Sequence, residues 1–213
     1  MTTSQIYRLF AVMTTWLGFA QPSWSQGTIS YFQPTSPILL HTEFFTELYP
    51  LDFDGDGIAE LTFGYDFHFI GVRPEGFNRV LIVLSPPPNV GGPVMPLSAG
   101  FNIGADSGEG GLAWAARSSL DPFLTLVQSF DSGSGGAFVG QHAYMGVEFE
   151  RAGNTYYGWV LLQISEFGAF GSIDAWAWDT RPGAPILAGA VPEPSSWTLL
   201  ALGAVTLLFA KRK

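Results

Sequence analysis

The run Asp52-Phe53-Asp54-Gly55-Asp56-Gly57-Ile58-Ala59-Glu60-Leu61 carries the strongest local signal for chemistry. With Asp52 as position 1, aspartates stand at 1, 3 and 5, so three carboxylates can converge on one point. Gly57 at position 6 permits a sharp turn, the carbonyl of Ile58 stands at 7, and Glu60 at 9 can complete the ring. Hard oxygen donors at this spacing suit a divalent cation, Ca²⁺ in particular. The alternative is an Asp/Gly-rich hairpin turn with no metal. With no Arg or Lys nearby in sequence, the three carboxylates would then repel one another.

Other candidate groups are weaker. Asp66 and His68 would share one face of a strand, as ligands, as an acid–base couple or as a hydrogen-bonded pair. His41 and His142 lack a companion at ligand spacing, so no zinc motif is present. Asp131-Ser132-Gly133-Ser134-Gly135-Gly136 sets serines among glycines but lacks the nucleophile-elbow pattern, and reads as a flexible loop. Trp176 and Trp178 fall on one strand face. Exposed, they could stack on sugar rings; buried, they are core packing between sheets. The chain has no cysteine, which excludes thiol catalysis, thiolate metal sites and disulfides.

The elements that must position these residues read as all-β. Leu61, Phe63, Tyr65, Phe67 and Phe69 alternate with Thr62, Gly64, Asp66 and His68, the period-two pattern of a half-buried strand. Ala143, Met145, Val147 and Phe149 form a second such face. Arg79–Leu84 and Trp159–Ile164 are short apolar runs suited to central strands, and Thr28–Phe32, Leu124–Phe130 and Ser172–Asp179 are further strands. Gly- and Pro-rich breakers separate them at Ser85–Pro96, Ala105–Gly111, Asp131–Gly140 and Arg181–Pro185. Many short strands with turn signals predict a β-sandwich with jelly-roll-like connections.

Two terminal segments differ in kind from this body. Met1–Ser25 has a basic residue at Arg8, an apolar stretch Leu9–Ala20, and small residues at Ser23 and Ser25. That is the layout of a secretory signal peptide cut before Gln26, with a cut after Ala20 as the alternative, which makes the Sec translocon a partner. At the other end, Val191-Pro192-Glu193-Pro194 precedes an apolar run, Trp197–Ala210, and then Lys211-Arg212-Lys213. The prolines keep a helix from entering out of the body, so it can begin only after Pro194. Fourteen residues of helix span about 21 Å against a hydrocarbon core of about 30 Å, a short transmembrane anchor. The basic cluster would hold its end on the cytoplasmic side.

Between these segments lies one domain, Gln26–Ala190, of 165 residues. It carries 17 acids (all 18 but Glu193) against five arginines and no lysine, a net charge of −12. Such a body is a poor partner for nucleic acid or anionic lipid and a good one for cations.

Three resemblances extend this reading. The Asp-rich loop resembles the calcium loops of dockerin, FG-GAP and related extracellular repeats. It departs from the EF-hand, because position 12 is Phe63 where that family has a bidentate Glu, and this implies a structural site. Tyr156–Val160, Ile173–Trp178 and Pro185–Gly189 resemble segments that precede the sorting signal in predicted exported β proteins, which implies a shared fold and no named activity. The tail is similar to the PEP-CTERM sorting signal, with Pro192, Glu193 and Pro194 as the recognition motif and Lys211, Arg212 and Lys213 as the basic anchor. That family implies a Gram-negative host, recognition by exosortase, removal of the tail, and association with exopolysaccharide and biofilm material. The expectation is therefore an exported, non-catalytic protein of the cell surface or extracellular matrix. A carbohydrate-binding module and a secreted glycosidase or peptidase are the alternatives.

Overall fold

In the computed structural model, residues 28–41, 46–66, 68–84, 92–118, 123–130, 133–166 and 170–192 are described. The expected signal peptide Met1–Ser25 and membrane span Trp197–Ala210 lie outside them. No helix among the described residues is long and apolar enough to cross a membrane.

The described residues form strands β1 (Ile29–Phe32), β2 (Ile38–Leu40), β3 (Glu47–Leu51), β4 (Leu61–Asp66), β5 (Phe69–Pro74), β6 (Arg79–Val83) and β7 (Asn102–Ile103). They continue as β8 (Leu112–Ala115), β9 (Leu124–Phe130), β10 (Gly133–Gly135), β11 (His142–Arg151), β12 (Asn154–Ile164), β13 (Gly171–Asp179) and β14 (Ile186–Leu187). One antiparallel sheet runs β1-β13-β12-β11-β6-β8, with β2 also paired to β13; a second runs β10-β9-β5-β4-β3. β14 and β7 make a separate two-stranded ribbon.

The two sheets face each other across one apolar core. Phe63, Ile70 and Val72 of the second sheet are buried with Met145, Val147, Phe149 and Val160 of the first. A second buried cluster covers the other face of the first sheet, where Tyr157, Trp159, Ala175 and Ala177 lie beneath Leu97, Ile103, Ile186 and Ala188. β12 and β13 are thus buried on both faces, which is why their sequences are near-continuously apolar. Alternation still sorts them: Trp176 and Trp178 enter the inter-sheet core, while Ala175 and Ala177 enter the second cluster.

Three expectations are corrected. The alternation through Leu61–Phe69 is not one strand. It folds back on itself after Asp66, whose Oδ1 accepts a bond from the His68 amide at 2.8 Å, and Asp66 pairs with Phe69 across the turn. A side-chain oxygen that bonds two residues ahead makes a turn at little cost, and residue alternation alone cannot show it. Within Asp131–Gly136, expected as a flexible loop, Gly133–Gly135 forms β10 at the edge of the second sheet. The jelly-roll connections are not those found: β3-β4-β5 and β11-β12-β13 each run as a meander within a single sheet, whereas a jelly roll is built from two Greek keys. β3 was missed in the sequence because Pro50 interrupts it. As an edge strand it tolerates a proline that a central strand would not.

Candidate metal centre

The Asp-rich loop is the connection from β3 to β4. Its two ends are fastened, since Leu51 pairs with Leu61 and the Glu60 amide donates to the Leu51 carbonyl at 3.1 Å. Between them the backbone turns sharply at Gly55 and Gly57, with φ of 79° and 91°, values that an L side chain would resist. Phe53 fixes the loop from below. It is buried, its ring centre lies 5.2 Å from that of Phe149, and it rests on Gly158 of β12.

Backbone amides organise the carboxylates. Asp52 accepts from Gly55 at 2.7 Å through Oδ1 and from Gly57 at 2.8 Å through Oδ2. Asp54 accepts from the Asp56 amide at 3.1 Å, and Asp56 from the Ile58 amide at 2.8 Å. Glu60 Oε2 accepts from the Phe53 amide at 2.6 Å. One oxygen from each of Asp52, Asp54, Asp56 and Glu60 lies within 4.8 Å of the others, so this cluster could hold a metal ion. The structure therefore brings together the four acidic residues picked out in the sequence. Ile58, the fifth, is exposed at the rim and would contribute through its backbone carbonyl.

The surroundings favour a cation. Glu60 is buried, and its carboxyl is pushed up to about 7, first by burial and then by the charges of Asp54 and Asp52. The side chain of Asp54 is 1% exposed, and its carboxyl is raised as well, first by burial. Asp54 Oδ2 is buried and receives no hydrogen bond, although Nε of Arg151 lies 3.0 Å away. We read that contact as an ion pair without hydrogen-bond alignment. A divalent ion would relieve both groups by favouring their charged forms.

Arg151 is the first correction at the site, because the sequence shows no basic residue near the loop. The end of β11 carries it there, and its guanidinium also lies 5.4 Å from the centre of the Trp178 ring. Asn78 is a second residue missed. Buried between the loop and β11, it donates to the Glu60 carbonyl at 3.1 Å and accepts from the Glu150 amide at 3.0 Å. Their positions follow from strand pairing across distant segments, and neither stands in a motif. Glu60, Glu75, Phe77, Asn78, Glu150 and Arg151 line an open depression beside the loop, with Phe77 80% exposed at its edge.

The Phe53–Gly158 contact makes a direct prediction. A Cβ at position 158 would lie 2.6 Å from both the Ala177 carbonyl oxygen and the Phe53 ring. Gly158→Ala should therefore cost about 1–3 kcal/mol by overpacking, and it should weaken any cation response because Phe53 moves with Asp52 and Asp54. Thermal unfolding with and without Ca²⁺ checks both effects. Wild-type stability together with an unchanged response would refute the coupling.

The remaining candidates are arranged differently from the sequence expectation. Trp176 and Trp178 are 8% and 5% exposed and pack against Phe32, Phe149 and Tyr156. They offer no open face to a sugar, which corrects the glycan-stacking expectation. Asp66 and His68 sit at a turn and not on one strand face. Ser172, Asp174 and His142 do converge, with Ser172 Oγ donating to Asp174 Oδ1 at 2.6 Å and His142 Nε2 3.1 Å from Asp174 Oδ2. Here the carboxylate sits between the other two, so the serine hydroxyl is directed at the carboxylate and not at the imidazole that would activate it.

Of the sorting-motif residues, Pro192 is exposed at the surface of the body; Glu193, Pro194, Lys211, Arg212 and Lys213 lie outside the described residues. Comparison with the curated proteins and with the solved structures gives no match. Residues 190–213 match the family model described as the PEP-CTERM protein-sorting motif. The chain thus carries a PEP-CTERM protein-sorting motif, a signal that implies an exported protein sorted by exosortase.

Proposed function

We propose that this is a non-catalytic protein of the bacterial surface or extracellular matrix, whose acidic β-sandwich is stabilised by a structural Ca²⁺. The observation that carries the reading is the sorting motif over residues 190–213. The chain enters through the Sec translocon of a Gram-negative host. Trp197–Ala210 holds it in the inner membrane, exosortase acts at Pro192-Glu193-Pro194, and the released body joins exopolysaccharide. Ca²⁺ is supported by the all-oxygen donor set of Asp52, Asp54, Asp56, Glu60 and the Ile58 carbonyl, and by the buried acids Asp54 and Glu60. The carbohydrate-binding alternative loses its platform with the burial of Trp176 and Trp178.

The positive-inside rule then places Lys211, Arg212 and Lys213 in the cytoplasm and the body outside. Protease added to spheroplasts should digest the body and spare a tag placed after Lys213. Loss of that tag while the inner membrane stays sealed would contradict the reading.

A further inference from the structure

Arg151 reaches the Asp-rich loop from a fixed place. It pairs with Asn154 across the hairpin from β11 to β12. The two residues between them, Ala152 and Gly153, both have positive φ, 50° and 75°. Two such residues in succession suit the type I′ turn that favours a two-residue hairpin. Among the described residues Ala152 is the one non-glycine with positive φ. Sheet pairing and a tight turn thus hold the backbone of Arg151, and its side chain, 41% exposed, is the part that can move.

That side chain lies on one oxygen in particular. Asp52 accepts amides through both of its oxygens, Asp56 through Oδ1 and Glu60 through Oε2. Asp54 accepts the Asp56 amide through Oδ1. Its Oδ2 is buried and receives no hydrogen bond, with Nε of Arg151 3.0 Å away. A buried carboxylate oxygen with no hydrogen bond needs a positive charge beside it, and the guanidinium supplies one. Asp54 is also one of the four acids whose oxygens lie within 4.8 Å of one another. A divalent ion in that cluster and the guanidinium are like charges that compete for one carboxylate at close range. The guanidinium has room to leave, because it already lines the open depression that Glu75, Phe77 and Glu150 share.

We propose that Arg151 is a built-in competitor for the cation. It holds Asp54 when calcium is absent, must be displaced when calcium binds, and so sets how tightly the loop takes the ion. The proposal rests on the calcium reading above and adds the residue that regulates the site. Apparent affinity falls with the fraction of molecules in which a site is open. A guanidinium that holds Asp54 in about nine molecules of ten therefore weakens binding about tenfold. The same pairing lets the loop keep its shape without the ion, since one positive charge offsets part of the repulsion among the carboxylates.

The test is calorimetric titration with Ca²⁺ of the full-length protein in non-ionic detergent, with Arg151→Gln and Arg151→Lys beside the wild type, together with melting temperatures in chelator. Arg151→Gln should bind calcium about tenfold more tightly than the wild type and, in chelator, should melt at a lower temperature. Opposite effects from one substitution mark a competitor, whereas a residue that only props the loop would weaken both. Arg151→Lys keeps the charge and should stay close to the wild-type affinity. A wild type that takes no calcium at millimolar concentration refutes the calcium reading and the proposal with it. Binding by the wild type with equal or weaker binding by Arg151→Gln overturns the proposal and leaves the calcium reading intact. Equal tightening in the glutamine and lysine variants assigns the effect to shape and also overturns it. A further readout needs no substitution. The guanidinium lies 5.4 Å from the centre of the Trp178 ring, so calcium should change the tryptophan emission of the wild type as the cation leaves. Calcium binding with unchanged emission contradicts the displacement.

Discussion

With calcium chelated, recombinant Gly27–Pro194, one compact unit of the chain, is expected to lose about 3 kcal/mol of stability as pH rises from about 4.5 to about 7. The carboxyl of Glu60 ordinarily titrates near 4.5 and is pushed up to about 7 in the folded protein, chiefly by burial. Across that window the unfolded chain has already released the proton and the folded chain still holds it, so each step up in pH favours unfolding. Above about pH 7 the loss is complete. In a domain of this size it corresponds to roughly 10 °C in melting temperature. Asp54, also raised by burial, adds to the slope in the same sense. Glu75 and Asp179 are lowered by their arginine and hydroxyl partners, so their contributions are lost only as pH falls below the usual carboxylate range, and the two effects do not overlap.

Calcium should remove the slope by favouring the charged form of Glu60. The ion adds about 1.4 kcal/mol for each tenfold excess over its Kd, so its stabilising effect is greatest above pH 7. Glu60→Gln should flatten the chelated curve, and Asp54→Ala should abolish most of the calcium response. The measurement is melting temperature against pH, with millimolar Ca²⁺ and with chelator. Parallel curves would leave the loop an ordinary acidic turn.

What the sequence revealed at this site, and what it hid, divides along the reach of the interactions. Asp52, Asp54, Asp56 and Glu60 are neighbours in the chain, and their convergence follows from the spacing of the ligands and two glycines. Arg151 and Asn78 arrive through the pairing of β11 with β6 and β12, where Glu148 meets Arg79 and Arg151 meets Asn154. No local pattern records that register. The same boundary separates the two halves of the fold reading. The faces Ala143–Phe149 and Trp159–Ile164 were visible as alternation and as continuous burial, because each strand's environment is written into its own side chains. The connections were not visible: the hairpin at Asp66 depends on one side-chain hydrogen bond, and the meanders depend on which strands meet. For Trp176 and Trp178, the second sheet packed over the first decides between a sugar platform and a core.

Replacing Glu193 and Pro194 together by alanine is expected to hold the full-length protein in the inner membrane and to abolish its release, an effect close to all-or-none. The basis is positional. The amide of Ala190 donates to the Leu187 carbonyl, and beyond it Pro192 and Pro194 would each fix φ and disfavour helix at the preceding residue, which would make the motif a short stiff stretch. Alanine at 194 would remove the restraint that keeps a helix from including the motif. Gly27–Pro194 carrying them should melt at the wild-type temperature. Altered melting would assign the effect to the fold and not to the signal. The most direct measurement of the whole account is the intact mass of the protein released by its native host. The expected mass ends near Pro192-Glu193-Pro194, with Trp197–Lys213 gone. A released protein that still ends in Lys213 would contradict it.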